Sequence, residues 1–124
     1  MKVYLAGGFR SGWQDVVIAK VVGPEYVDPR KHNLTDANEY TVADLYSLNK
    51  CDCVFAYLEK DNPSGYGMAL EIGYAKAKNK LIIFCNESTN RYLSMVNCAS
   101  SYTTTDFDSA LEFMQNIFNL VGVS

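Results

Sequence analysis

The sequence predicts an α/β fold built on a parallel β-sheet, in a single domain that spans residues 1–124. Apolar runs of strand length alternate with segments of helical periodicity, which is typical of parallel sheets covered by helices. One run, Lys80–Cys85, is continuously apolar after its first residue, as expected of a strand buried on both faces. A chain of 124 residues is long enough for a five-stranded sheet with flanking helices and too short for a second core.

The elements follow one another in a regular order along the chain. The predicted strands are Lys2–Ala6, Tyr26–Asp28, Cys53–Leu58, Lys80–Cys85 and Ser101–Thr105. The predicted helices are Trp13–Val22, Thr41–Lys50, the segment around Glu71, Arg91–Ala99 and Ser109–Leu120. Loops that leave the carboxyl ends of parallel strands meet at one edge of the sheet, where ligands bind in open α/β folds. We therefore expect the loops after strands one, three and four to form one crevice.

Two of the helices are supported by their apolar spacing. Val42, Leu45 and Leu48 form a stripe along the second helix, at intervals of three residues. In the last helix the inward-facing residues are predicted to be Leu111, Met114, Ile117 and Phe118. Each stripe predicts the face that packs on the sheet.

Composition and charge limit the class of partner. The chain is 48% hydrophobic and 20% charged, with a net charge of −3 and a pI near 5.0. This acidic balance argues against a binder of duplex nucleic acid, which would be expected to show a basic face. No apolar run approaches the length of a membrane span, and Met1 leads directly into a strand without a signal-peptide core. We expect a cytoplasmic protein whose nucleotide ligand, if it has one, is small.

The cysteines and the single histidine predict no metal site. Cys51 and Cys53 flank Asp52 at the start of a strand, so they face opposite sides of the sheet and cannot readily bind one metal ion. With Cys85 and Cys98 they are expected to be buried, reduced thiols. His32 lies in a polar loop, and nothing near it in the sequence supports a Ser-His-Asp or Cys-His site.

Glu71 is the strongest candidate for a functional residue. It follows a glycine-rich loop and shares a helix face with Met68, Ile72 and Ala75. Burying a carboxylate among such neighbours costs several kcal/mol, as a rough estimate, unless it is hydrogen-bonded or protonated. The position therefore suggests chemistry, and the alternative is a loop cap or an ion pair at the helix edge.

A second glycine-rich loop, Gly7–Gly12, follows the first strand. Its backbone N–H groups could bind an anion, with Arg10 adding positive charge. It matches neither Gly-x-Gly-x-x-Gly nor a P-loop, because Phe9 stands where the middle glycine would be and the Lys-Ser/Thr pair is absent. By itself this loop is weak evidence for a phosphate site.

Tyr4 and Asp44 are the other candidates near this edge of the sheet. The Tyr4 hydroxyl could reach the carboxyl end of its strand and bond a carboxylate, or the ring could simply be core. Asp44 lies near the amino end of its helix, where a carboxylate also favours the helix dipole. Two carboxylates at one crevice, one nucleophilic and one assisting proton transfer, suit cleavage of a glycosidic bond.

Four segments together resemble the nucleoside 2-deoxyribosyltransferase family, over about the first 100 residues. They are Val3–Phe9, Asp28-Pro29-Arg30, Asp44-Leu45 with Asp52 eight residues later, and Gly67–Ala75, which contains Glu-Ile-Gly-Tyr-Ala. The resemblance implies that Glu71 is the nucleophile of a covalent deoxyribosyl-enzyme, that Tyr4 orients it, and that Asp44 handles the proton at the nucleobase or the acceptor.

The resemblance also implies a fold, an assembly and a set of ligands. The fold is a flavodoxin-like (Rossmann-like) three-layer sandwich whose five-stranded parallel sheet has the order 2-1-3-4-5. Active sites are shared between subunits of a homodimer or higher homo-oligomer. The ligand is a small nucleoside or nucleotide, with a second nucleobase if the enzyme is a transferase, and no cofactor is needed.

The sequence departs from the transferases at one position and resembles a related group instead. Ser64 and Gly65 stand where transferases of free nucleosides usually have an aspartate. With Arg10 and Ser94, Ser64 is similar to the phosphate-binding positions of the 2′-deoxynucleoside 5′-phosphate N-hydrolases. One arginine with several hydroxyls suits a 5′-phosphate. The residues expected to bind substrate are Gly7, Gly8, Phe9, Arg10, Asp28, Ser64, Gly65, Gly67, Ser94 and Met95.

Three functions stay open at this point. The chain is a transferase to a second base, a hydrolase of deoxynucleoside 5′-monophosphates, or a non-catalytic nucleotide-binding module on the same fold. Transfer and hydrolysis share their first half-reaction, so the sequence separates them poorly. A pure binder has no need of the buried acid Glu71, which favours the two enzymes.

Overall fold

The computed structural model describes residues 1–121 and confirms the predicted sheet. Five parallel strands are arranged in the order β2-β1-β3-β4-β5. The strands are β1 (Lys2–Gly7), β2 (Glu25–Val27), β3 (Cys53–Leu58), β4 (Leu81–Asn86) and β5 (Tyr102–Thr104). The helices are α1 (Trp13–Lys20), α2 (Ala37–Asn49), α3 (Tyr66–Ala77), α4 (Ser94–Ala99) and α5 (Phe107–Leu120).

Helices cover both faces of the sheet and form three layers. Successive residues of a strand point to opposite faces, so Val3 of β1 packs with α1 and α5 while Tyr4 packs with α2 and α3. Cys53 and Cys51 divide between the same two clusters, as predicted, whereas Cys98 is exposed rather than buried. The sheet is thus buried on both sides, which explains its long apolar runs.

Two helices begin earlier than their apolar stripes suggested. Helix α2 starts at Ala37 rather than Thr41, because the Asp36 side chain caps it by accepting a hydrogen bond from the Asn38 N–H at 3.3 Å. Helix α5 starts at Phe107, where Asp106 accepts from the Ser109 N–H at 2.9 Å. Polar caps contribute no apolar periodicity, so the spacing alone placed both starts too late.

The order of the strands fixes the position of the crevice. Strands β1 and β3 are neighbours, with Gly7 opposite Tyr57 at their carboxyl ends. The loops that follow them, residues 8–12 and 59–65, therefore lie side by side. No helix among residues 1–121 combines the length and the apolarity needed to cross a membrane.

Candidate active site

Glu71 and Tyr4 meet at the carboxyl end of the sheet. Tyr4 lies within β1 and is fully buried, and its hydroxyl donates a hydrogen bond to Oε2 of Glu71 on α3. Burial raises the pKa of Glu71 to about 7, a rise that the Tyr4 hydrogen bond opposes and the nearby Asp44 charge increases. Burial and the Glu71 carboxylate also raise the pKa of Tyr4, so this hydroxyl stays protonated as a donor.

Asp44 is held by the only histidine of the chain. His32 Nε2 lies 2.7 Å from Asp44 Oδ1, and the Leu34 N–H donates to His32 Nδ1 at 3.0 Å. Because Nδ1 accepts that bond, the ring proton lies on Nε2, which donates to Asp44. No pattern in the sequence assigned a role to His32, since only the fold brings the turn after β2 over α2.

A cavity of about 300 Å³ opens above these groups. Asp44 and Glu71 line it together with six of the residues predicted to bind substrate, and so does His32. The six are Gly7, Gly8, Phe9, Ser64, Gly65 and Gly67. This volume is at the lower end of the range for small-molecule sites, and two carboxylates face into the same space.

Two of the glycines are required by the shape of the crevice. At Gly7 (φ +152°) an added Cβ would lie 2.5 Å from the Tyr57 carbonyl oxygen and 2.9 Å from the Trp13 ring. Gly65 is left-handed, with φ +103°, and immediately precedes α3. These residues let the two loops approach each other, and the second directs α3 so that Glu71 faces the crevice.

Comparison with known proteins identifies the family. The sequence model of the nucleoside 2-deoxyribosyltransferase family matches residues 3–120 of the chain. The chain belongs to the nucleoside 2-deoxyribosyltransferase family. It is accordingly an enzyme of the class that transfers or hydrolyses N-linked glycosyl groups. No curated protein sequence gave a significant match.

Three solved structures share the fold at low sequence identity. The 2-deoxyribosyltransferase of Bacillus psychrosaccharolyticus has a TM-score of 0.72 and 19% identity, covering 94% of this chain and 91% of its own. The CMP N-glycosidase of Clostridium botulinum has a TM-score of 0.67 and 21% identity, covering 92% and 98%. The 2-deoxyribosyltransferase of Leishmania mexicana has a TM-score of 0.68 and 18% identity, covering 93% and 97%.

Arg10 lies in a recess that continues from the crevice of this deoxyribosyltransferase-family protein. Gly8, Phe9 and Ser64 line both spaces, and the recess has a volume of about 170 Å³. Two carboxylates, Glu59 and Asp61, line the recess as well. Arg10 makes no ion pair within residues 1–121, and Asp15, five residues further along the chain, binds Arg30 at 2.7 Å.

Asp28 does not line the crevice. Its side chain is buried, and it accepts hydrogen bonds from the Arg30 backbone N–H at 3.0 Å and from Arg30 Nη2 at 2.6 Å. These contacts cap the 3₁₀ turn Pro29–His32. Asp28 therefore stabilises the turn that carries His32.

Ser94 and Met95 lie away from the crevice of their own chain. The Ser94 hydroxyl donates to the Arg91 carbonyl at 2.9 Å, and the residue lines a separate polar cavity beyond β4 and β5. Met95 is 83% exposed. Within residues 1–121 no group of three or more His, Cys, Asp or Glu side chains could hold a metal ion.

Proposed function

We propose that the protein cleaves the N-glycosidic bond of a (deoxy)nucleoside or nucleotide through a covalent glycosyl-Glu71 intermediate, as a nucleoside 2-deoxyribosyltransferase-type enzyme. One observation carries the proposal. A carboxylate, Glu71, is held by the Tyr4 hydroxyl at the base of a crevice that a second carboxylate, Asp44, also lines. No cofactor takes part in this chemistry.

The first half-reaction needs a nucleophile of fixed position. A Glu71 oxygen attacks C1′ as the C1′–N bond breaks, and the bonding electron pair leaves with the nucleobase. The Tyr4 hydroxyl binds Oε2 and limits rotation of the carboxylate. Because burial raises the pKa of Glu71 to about 7, the anionic form needed for attack increases as the pH rises through neutrality.

Asp44 is suited to the accompanying proton transfer. His32 donates to Oδ1, which leaves Oδ2 available for the proton exchanged with the substrate. In the first step Asp44 donates a proton to the departing base. In the second step a new base, or water, attacks C1′, returns a proton to Asp44 and releases Glu71.

A panel of substrates tests this proposal. Wild type and Glu71→Gln are incubated with deoxynucleosides, ribonucleosides and their 5′-monophosphates, with and without a second free base. We expect cleavage by wild type and a loss of at least about a thousandfold in Glu71→Gln, because the covalent route disappears. A new nucleoside indicates transfer, whereas free sugar or sugar phosphate indicates hydrolysis. Near-normal turnover by the glutamine variant would refute Glu71 as nucleophile.

A deoxynucleoside 5′-monophosphate N-glycosidase is the second candidate. It is favoured by the recess beside Phe9, in which Arg10 and Ser64 could bind a phosphate. Glu59 and Asp61 oppose this candidate, since their charges repel a dianion. Ser94 can join such a site only from another subunit.

The substrate charge can be tested at Arg10. If Arg10 binds phosphate, Arg10→Ala should lower kcat/KM on the monophosphate by about thirty- to a hundredfold and leave the free deoxynucleoside nearly unchanged. The matched variant Glu59→Gln removes a negative charge and should raise kcat/KM on the monophosphate relative to the free deoxynucleoside. If Arg10→Ala leaves the ratio of these two kcat/KM values unchanged, the phosphate site is eliminated and the free nucleoside is favoured as substrate.

The proposal includes the assembly. We propose a homodimer or higher homo-oligomer in which residues 91–100 of one subunit reach the crevice of another. Tyr92 (79% exposed) and Met95 (83% exposed) support this, because large apolar side chains at such exposure are suited to an interface. We also propose that the protein acts in nucleotide salvage in the cytoplasm.

A further inference from the structure

The carbonyl group of Gly8 is held by two buried side chains. Trp13 Nε1 donates to its oxygen at 2.8 Å, and Gln14 Nε2 donates to the same oxygen at 3.0 Å. Trp13 is 3% exposed and Gln14 is fully buried, at the start of α1. Both lone pairs of the oxygen are therefore used, and the Gly8–Phe9 peptide cannot rotate without breaking a buried hydrogen bond.

The fixed carbonyl determines the direction of the next N–H group. A trans peptide is planar, so the Phe9 N–H points opposite to the Gly8 carbonyl. Trp13 and Gln14 hold the oxygen from the protein interior, which turns the N–H towards the side where Gly8 and Phe9 line the crevice. Within residues 1–121 the Phe9 N–H has no hydrogen-bond acceptor.

Gln14 makes this bond at a cost in stability. Its Oε1 is buried and has no hydrogen-bond partner among the described residues. An unsatisfied buried oxygen is unfavourable, and an apolar side chain of similar shape would avoid it. The feature that glutamine supplies and methionine lacks is the Nε2–H bond to Gly8.

We infer that Trp13 and Gln14 are positioning residues, which fix the Phe9 N–H as a hydrogen-bond donor to an oxygen on C5′ of the substrate. This inference rests on the proposed function. Phe9 lies where the crevice that contains Glu71 joins the recess that contains Arg10. In the arrangement that we infer, the sugar lies with C1′ at Glu71 and its 5′ end at that junction, where the oxygen is either a hydroxyl or a phosphate oxygen.

Kinetics of Gln14→Met test the inference. The substrates are a deoxynucleoside, its 5′-monophosphate and the corresponding 2′,5′-dideoxynucleoside, which lacks the C5′ oxygen. We expect KM to rise about three- to tenfold for the first two, as for one lost hydrogen bond, with kcat within about twofold. The dideoxynucleoside should show no change in KM, and the melting temperature should stay equal or rise. Trp13→Phe removes the other donor and should show the same pattern of KM values across the three substrates, with a lower melting temperature because the smaller ring leaves a cavity.

Two results would overturn the inference. One is an equal change of KM on all three substrates, which indicates a general disturbance of the crevice. The other is no change on any of them. The comparison of hydroxyl and phosphate substrates then shows which oxygen accepts the bond more strongly.

An amide NMR measurement separates this inference from the proposed function. The ligands are 2-deoxyribose 5-phosphate and 2-deoxyribose, which have no glycosidic bond to cleave. We expect the Phe9 amide proton to shift downfield in wild type and less in Gln14→Met. If the Phe9 amide proton shifts but the protein cleaves no nucleoside, the inference holds and the proposed function is refuted. If the protein cleaves nucleosides but the Phe9 amide proton does not shift, the function holds and the inference is refuted.

Discussion

Replacing Glu71 with glutamine should stabilise the protein while it abolishes the activity. Burial raises the pKa of Glu71 from its ordinary value of 4.5 to about 7. Each pKa unit between the folded and unfolded states corresponds to about 1.4 kcal/mol, so ionised Glu71 destabilises the fold by about 3 kcal/mol above pH 7. The penalty is absent below about pH 4.5, where both states are protonated, and grows as the pH rises to 7.

Thermal unfolding at several pH values checks this expectation. For a chain of 124 residues, a gain of about 2 to 3 kcal/mol raises the melting temperature by about 8 to 12 °C. We expect that rise in Glu71→Gln at pH 8 and almost none at pH 4, because glutamine keeps the shape and an acceptor for Tyr4. The control is Glu112→Gln on the exposed face of α5, which should change the melting temperature little at either pH. An equal gain at both pH values, or none at pH 8, would refute the role of burial.

Three further predictions concern the crevice and the assembly. His32→Gln should lower kcat by about tenfold with little change in KM, because Asp44 loses the donor that orients it; steady-state kinetics measure this, and an unchanged kcat would contradict it. An added Cβ meets nothing within 4 Å at Gly67 or Gly73, and of the two only Gly67 lines the crevice. Both alanine variants should therefore raise the melting temperature by a few degrees. Only Gly67→Ala should raise KM, by roughly tenfold, because its methyl group occupies space that the substrate needs. Equal KM values in the two variants would show that the substrate does not use this space. Sedimentation at micromolar concentration should show at least a dimer, and a fully active monomer would contradict a partner's 91–100 segment in the site.

The sequence predicted those parts of the fold that depend on local pattern. The Tyr4 hydroxyl could be expected near the carboxyl end of its strand, and helical spacing placed Glu71 on one face with Met68 and Ile72. In the structure the Tyr4 hydroxyl bonds Glu71, and Met68 and Ile72 are buried on the same helix. Such regularities extend over a few residues, so they are visible without the fold.

The parts that the sequence did not predict depend on contacts between distant segments. The pairing of His32 with Asp44 requires the 3₁₀ turn after β2 to lie over α2, and no spacing encodes that. Glu59 and Asp61 lie in the loop after β3, and no local pattern indicates that they share a recess with Arg10. The charge of a binding site is a sum over several loops, and only the assembled loops reveal it.

The central claim is that Glu71 carries the sugar during turnover. Wild type is mixed with a 2-fluoro-2-deoxynucleoside, whose fluorine slows breakdown of the intermediate, and the protein is then digested and analysed by mass spectrometry. We expect the fluorosugar mass on the peptide that contains Glu71, and no adduct in Glu71→Gln. Turnover of substrate with no adduct in wild type, or with the adduct on another residue, would contradict the account.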